Sequence, residues 1–139
     1  MAREFGSGEA WQRWATERWV SELAAREAPL QLIEGQTRPS FINAAVARYP
    51  SIESTIVLLD CRPAGRTLRL SGTRNQAELA SSPIENWAAY LRGQADALGL
   101  HIVDTSDLSI EELAREIESL IFERTRAGVG PIPTSEDSR

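Results

Sequence analysis

The sequence contains no lysine: all fifteen of its basic residues are arginines, against twenty acidic residues. This absence excludes a Schiff-base lysine, a Ser-Lys catalytic dyad and the lysine of a phosphate-binding loop from the chemistry of the chain. The net charge of -5 also disfavours non-specific binding to nucleic acid or to an anionic membrane surface.

Cysteine and histidine are equally scarce. The only cysteine, Cys61, cannot form an internal disulfide, and it is typical of a protein from a reducing cytoplasm. With His101 as the only histidine, a zinc site of the usual ligand types is not expected, so we assign no metal ligand. No apolar run approaches the roughly 18 residues of a membrane span, and the N-terminus lacks a signal-peptide core. We therefore expect a cytoplasmic protein without a membrane partner.

The 139 residues suit one domain of modest core size. Residues 1–8 predict a flexible lead-in, and residues 9–126 predict a single α/β domain. Residues 127–139 are rich in glycine, proline, serine and acidic residues, a composition that predicts a disordered tail.

Apolar runs and helical periodicity alternate along the domain. Short apolar runs predict strands at 30–33, 55–59 and 100–103, and helical spacing predicts helices at about 9–26, 39–49, 63–76, 82–98 and 109–126. Ser82 with Glu85, and Ser109 with Glu112, have the spacing of capping boxes, and Gly99 is expected to end a helix. Continuous apolar strands between helices predict a mainly parallel sheet in a three-layer α/β sandwich.

Polar residues follow each predicted strand. They form the segments 34–38 (EGQTR), 60–62 (DCR) and 104–106 (DTS). Because ligands of open parallel sheets bind outside the carboxyl ends of the strands, these segments predict one site at that edge. Gln36 and Arg38, with Tyr90 on a later helix, are candidate substrate contacts.

Four arginines lie close together after the second predicted strand. A guanidinium group holds phosphate oxygens bidentately, so the cluster of Arg62, Arg66, Arg69 and Arg74 suits a phosphate site. A solvated helix face explains the same cluster about as well. Glu34 has two interpretations too: it pairs with a nearby arginine, or it acts at a reaction centre, holding Mg²⁺ through water or orienting a substrate hydroxyl.

Three segments together carry a family resemblance: "LIEGQTRPSFI", "IVLLDCRPAGRTLRLSGTR" and "LHIVDTSDLSIEELAREI". In this order, over residues 28–123, they resemble the later part of small P-loop kinases, the nucleoside- and nucleotide-kinase-like group of bacterial ATPases. The resemblance implies an incomplete P-loop kinase-like fold that uses ATP and Mg²⁺ and binds a small-molecule acceptor.

The resemblance also implies roles for particular residues. Glu34 matches the acidic strand end near magnesium and substrate. The lid pattern R-x-x-R-L-x-x-x-R is matched by Arg66, Arg69, Leu70 and Arg74, which implies a nucleotide contact for Arg66 and catalytic roles for Glu34, Arg69 and Arg74. The final strand end, Asp104, Thr105 and Ser106, matches the loop that borders the adenine.

The chain departs from this family at one motif, because G-x-x-x-x-G-K-[ST] is absent. We therefore expect an ATP-dependent small-molecule kinase domain or an N-terminally truncated fragment of one. The alternative is a non-catalytic binding or dimerisation module on the same scaffold. Its sheet edge and Trp-rich first helix, with Trp11, Trp14 and Trp19, would form a homodimer or a docking surface.

Overall fold

The computed structural model describes residues 5–68 and 82–128, which form a mixed α/β arrangement. This part of the chain contains α-helices and one two-stranded parallel sheet. The elements, in chain order, are α1 (Gly8–Ala24), α2 (Pro39–Val46), β1 (Val57–Asp60), α3 (Pro63–Leu68), α4 (Ser82–Leu98), β2 (His101–Asp104) and α5 (Ile110–Gly128).

Helices α1 and α2 pack against each other. The hydroxyl of Ser7 accepts a hydrogen bond from the amide of Ala10 (3.1 Å) and caps the start of α1. Pro39 opens α2, where its fixed φ and missing N–H cost nothing. The buried residues at this contact include Phe41 and the small side chains Ala15 and Ala45. Small residues let the two helix backbones approach closely.

The strands β1 and β2 run parallel, with Val57 opposite His101 and Asp60 opposite Asp104. The chain crosses between them through α4, which packs on both strands and on α2. Gly99 ends α4 with φ +64°, in the left-handed region that favours glycine. The amide of Leu100 then donates to the carbonyl of Ala95 (2.8 Å), as in a helix C-cap motif. The two parallel strands therefore end side by side.

The start of α5 confirms the predicted capping box. The amide of Ser109 donates to a carboxylate oxygen of Glu112 (2.7 Å), and the amide of Glu112 donates to the Ser109 hydroxyl (3.1 Å). Ile110 and Phe122 are largely exposed on this helix. The apolar stripe of α5 is thus only partly covered by the described residues.

The predicted strand at residues 30–33 is wrong. This segment has no regular structure, and Leu30, Leu32 and Ile33 are each more than half exposed. The segment lies against the last turn of α1 instead. There the side-chain amide of Gln31 donates a hydrogen bond to the carbonyl of Leu23 (2.9 Å). A short apolar run becomes a strand only when a neighbouring strand pairs with it. The described sheet consequently has two strands rather than the three that were predicted.

Among the described residues, no helix combines the length and the apolar composition that crossing a membrane requires.

Candidate functional site

The ends of β1 and β2 meet at one edge of the sheet, and Asp60 is the central side chain there. Its Oδ2 accepts from Nε and Nη2 of Arg92 (2.6 and 2.5 Å), and its Oδ1 accepts from Nη2 of Arg66 (3.3 Å). The backbone carbonyl of Asp60 accepts from the amide and the hydroxyl of Thr105 (2.7 and 2.8 Å). Asp60 therefore joins both strand ends to α4.

Arg66 reaches this edge from α3. Its side chain is only 15% exposed and lies between two carboxylates, because it also forms an ion pair with Glu85 of α4. It donates a further hydrogen bond to the carbonyl of Cys61. The guanidinium group is thus held in one orientation by three acceptors from different elements.

The next segment, around Arg62, is more exposed. Its side chain forms an ion pair with Asp107 and approaches Asp104 (3.9 Å), while its backbone amide donates to the Ser106 hydroxyl (2.9 Å). Ser106 also donates to Oδ1 of Asp104 through its hydroxyl and its amide. These two bonds and the charges of Arg62 and Arg92 lower the pKa of Asp104 below its ordinary value of 3.8.

Close approach of α3 to the end of β2 depends on Gly65. A Cβ at this position would lie 3.1 Å from Sγ of Cys61 and 3.9 Å from Cβ of Ser106. The missing side chain lets the first turn of α3 lie against both strand ends. We call the resulting group the strand-end cluster; its members are Asp60, Arg62, Arg66, Glu85, Arg92, Asp104, Thr105 and Ser106.

The structure brings together two of the predicted substrate contacts. The guanidinium carbon of Arg38 lies 5.5 Å from the ring centroid of Tyr90, although the residues belong to different elements. Gln36 lies against α1, where its carbonyl accepts from the side-chain amide of Gln12 (3.0 Å). Glu34 is exposed in the same segment and makes no hydrogen bond or ion pair with another described residue. It does not follow a strand, so the premise that placed it at a strand end was wrong.

Other predicted site residues have different outcomes. Arg66, Asp104, Thr105 and Ser106 all belong to the strand-end cluster. Arg69 and Arg74 lie outside the described residues. Within the described ranges, no group of three or more His, Cys, Asp or Glu side chains is arranged to hold a metal ion.

Sequence reasoning missed two members of the cluster, Glu85 and Arg92, and it gave Asp60 no role beyond its place in the predicted segment 60–62. One signal was present, because Glu85 and Arg92 lie on one face of α4 at positions i and i+7. Asp60 also ends the most apolar strand of the chain. Their mutual contacts depend on how α4 packs on the sheet, which no local pattern specifies.

A surface cavity of about 380 Å³ lies elsewhere, on α5. Its lining residues, Glu118, Ser119, Phe122 and Glu123, come from that helix alone. It brings no two elements together and contains none of the strand-end cluster, so we give it no functional role.

No protein-family model matches the chain, and neither a curated protein nor a solved structure is significantly similar to it.

Proposed function

We propose that the chain is a phosphate-binding domain of an ATP-dependent small-molecule kinase, or a fragment of such a kinase that lacks the P-loop. In this proposal the domain is cytoplasmic and belongs to a three-layer α/β sandwich. The observation that carries it is the convergence of Arg62, Arg66 and Arg92 on the ends of two parallel strands. Ligands of open parallel sheets bind at this edge.

The charge arrangement supports an oxyanion as the ligand. The guanidinium of Arg62 already contacts the carboxylate of Asp107, which occupies a position that a phosphate oxygen would take. Arg62 is the easiest to redirect, since its side chain is 60% exposed and its partner Asp107 is more exposed still. Arg66 is fixed and neutralised by the carboxylates of Asp60 and Glu85, so it acts by positioning the strand-end cluster.

Phosphoryl transfer depends mainly on positioning and on stabilising charge on the transferred group. In the proposed reaction Arg62 and Arg92 bind and orient the phosphate oxygens, and Asp60 holds Arg92 and Arg66 in place. Asp104, Thr105 and Ser106 border the nucleotide base. We propose that Arg69 and Arg74 contact the phosphates, as the lid pattern implies.

Magnesium does not fit the described side chains. Asp60 is bonded to two arginines, and Asp104 is bonded to Ser106 through Oδ1 while its Oδ2 faces Arg62 (3.9 Å), and no group of three candidate ligands lies among the described residues. Octahedral Mg²⁺ needs oxygen ligands at about 2.1 Å, and a neighbouring guanidinium repels it. We therefore derive no step through a metal ion at this cluster.

Nucleotide titration of the full chain tests the proposal. Isothermal calorimetry should detect ATP binding, with tripolyphosphate binding more weakly because it lacks the base. Arg62→Gln should weaken ATP binding about tenfold, since one charge-assisted contact is lost. Arg18→Gln is the matched control, because Arg18 has a similar exposure and an ion pair on α1. Failure of ATP to bind at millimolar concentration, or an equal loss in both variants, would overturn the proposal.

The second candidate function is a non-catalytic binding or dimerisation module. It is favoured by the exposed Leu30, Leu32 and Ile33 beside α1, where Trp14 and Trp19 are also partly exposed. In the described residues, moreover, β1 pairs with a strand on one side only. Analytical ultracentrifugation over a concentration series tests this function. Leu32→Asp should shift a dimer towards monomer, and Ala97→Asp, at an exposed position of α4, should not.

A further inference from the structure

Aromatic rings surround the side chain of Arg38. Its guanidinium carbon lies 5.2 to 5.5 Å from the ring centroids of Trp87, Phe41 and Tyr90, and the side chain is only 20% exposed. We call this arrangement the ring-lined niche. Ring faces stabilise a cation without neutralising it, so the positive charge stays available to a ligand.

Arg38 also has unused hydrogen-bonding capacity. Nη1 donates to Oε1 of Gln12 (2.5 Å), which is the only hydrogen bond of the Arg38 side chain with the described residues. A guanidinium has five N–H donors. The nearest carboxylate, from Glu9, stands 3.8 Å from Nη2, beyond hydrogen-bond distance.

A second arginine approaches the same place. The guanidinium carbon of Arg13 lies 4.3 Å from the ring centroid of Phe41. Nη2 of the same side chain lies 4.0 Å from Oε1 of Glu9. Glu9 therefore spans two guanidinium groups, with Oε1 near Arg13 and Oε2 near Arg38. An external carboxylate between these arginines would have the same charge and shape as that of Glu9, and a phosphate would present similar oxygen acceptors with more negative charge. Glu9 is 56% exposed in the first turn of α1, so it can turn away at little cost.

The ring of Tyr90 is held next to this position. It stacks on Trp87 with centroids 5.4 Å apart, and its hydroxyl accepts from the side-chain amide of Gln94 (2.6 Å). Oε1 of Gln94 in turn accepts a hydrogen bond from the backbone amide of Ser40 (3.3 Å), two residues after Arg38. Tyr90 is nonetheless 43% exposed. Its ring therefore keeps exposed surface for a planar ligand while its orientation is fixed.

We propose that the ring-lined niche binds a small molecule that joins a planar ring to an oxyanion, and that Glu9 competes for the same site. Arg38 and Arg13 hold the oxyanion, and the planar ring stacks on Tyr90. The role of the niche as the acceptor site of a kinase rests on the proposed function. Binding of the ligand to the niche does not depend on that function or on ATP.

Titration of the full chain with phenyl phosphate, followed by calorimetry, tests this proposal. Benzoate distinguishes a carboxylate from a phosphate, and cyclohexyl phosphate removes only the planarity. Phenyl phosphate or benzoate should bind more tightly than cyclohexyl phosphate or inorganic phosphate, by about threefold or more for the stacked ring. Equal binding of phenyl and cyclohexyl phosphate would refute the role of Tyr90.

Variants then separate the contacts. Arg38→Gln should weaken phenyl phosphate binding at least about tenfold, whereas Glu9→Gln should strengthen it about threefold by removing the competing carboxylate. The matched controls are Arg48→Gln and Glu17→Gln. Nη2 of Arg48 lies 3.2 Å from Oε1 of Glu17, and this ion pair links the turn after α2 with α1. Weaker binding in Glu9→Gln would contradict the competition, and this exposed substitution keeps the test decisive if Arg38→Gln unfolds.

The two proposals fail separately. Arg62→Gln should leave phenyl phosphate binding unchanged, and Arg38→Gln should leave tripolyphosphate binding unchanged. If phenyl phosphate binds and ATP does not, the proposed ligand site is supported and the proposed kinase function is refuted. No binding of either aromatic oxyanion at millimolar concentration would overturn the niche.

Discussion

Arg38 and Arg66 are both poorly exposed, 20% and 15% respectively, but their surroundings differ in kind. Arg66 contacts the carboxylates of Asp60 and Glu85, whereas Arg38 contacts aromatic rings and one amide oxygen, with only the exposed carboxylate of Glu9 near it (3.8 Å). Carboxylates neutralise a guanidinium, but rings leave its charge in place. Arg66 therefore mainly positions the groups around it, while Arg38 is suited to bind an anion.

The largest effect should come from replacing Arg66 by methionine, with Arg38→Met as the comparison. Arg66→Met leaves Glu85 without its ion pair and Asp60 with Arg92 alone, and should destabilise the protein by about 3 kcal/mol. Arg38→Met leaves no buried carboxylate behind, and its apolar side chain suits the rings, so the cost should be at most about 1 kcal/mol. Urea unfolding measures both. Equal losses would show that the two sites do not differ in the way described.

A smaller effect is expected at the carboxylate that pairs with Arg66. Asp60→Asn keeps the shape but removes the charge of a side chain that is 14% exposed, and it should cost about 2 kcal/mol. Asp107→Asn is the control, since Asp107 also pairs with an arginine but is 86% exposed; its cost should stay below about 0.5 kcal/mol. Thermal or urea unfolding should separate the two variants clearly. A large loss for Asp107→Asn would contradict this ranking.

The close approach at Gly65 should have an intermediate to small effect. Gly65→Ala places a methyl group 3.1 Å from Sγ of Cys61, so either α3 or the Cys61 side chain must give way slightly. We expect a loss of about 1 kcal/mol, partly offset by the better helix propensity of alanine. Gly93→Ala, with open space around its Cβ position, should stabilise α4 instead. Stabilisation by Gly65→Ala would mean that α3 does not depend on this approach.

The smallest effect concerns Asp104. Its pKa is lowered first by the Ser106 hydroxyl, then by the Ser106 amide and by Arg62 and Arg92. A carboxyl whose pKa is lower in the folded state stabilises the protein at pH values above its unfolded pKa. That contribution is lost as the pH falls below 3.8 and through the folded pKa.

Carbon-detected NMR titration measures this pKa directly. Ser106→Ala should raise the pKa of Asp104 towards 3.8, and Ser119→Ala, on α5, should not change it. An unchanged pKa in Ser106→Ala would assign the shift to the arginines instead.

Local patterns predicted the elements well wherever neighbouring residues supply the interactions. The capping box of Ser109 and Glu112 and the helix stop at Gly99 depend on contacts within a few residues, and both were confirmed. The strand expected at 30–33 was wrong because strand formation depends on a partner distant in sequence. An apolar run alone does not reveal whether that partner is present.

The candidate sites show the same division. The polar residues after β1 and β2 could be predicted to meet, since parallel strands end at one edge. The pairing of Asp60 with Arg92 and the rings around Arg38 could not, because both depend on where α4 packs. Tyr90 was identified as a candidate, but its proximity to Arg38 comes from the contact of α4 with α2.

The parallel pairing of β1 with β2 has a consequence for folding order. The strands are neighbours in space, but α3 and α4 separate them along the chain. Closing so long a loop costs entropy that only the completed contacts repay, whereas α1 and α2 are close in sequence and meet early. We therefore expect the helical pair to form first during refolding, with the strand-end cluster assembling last.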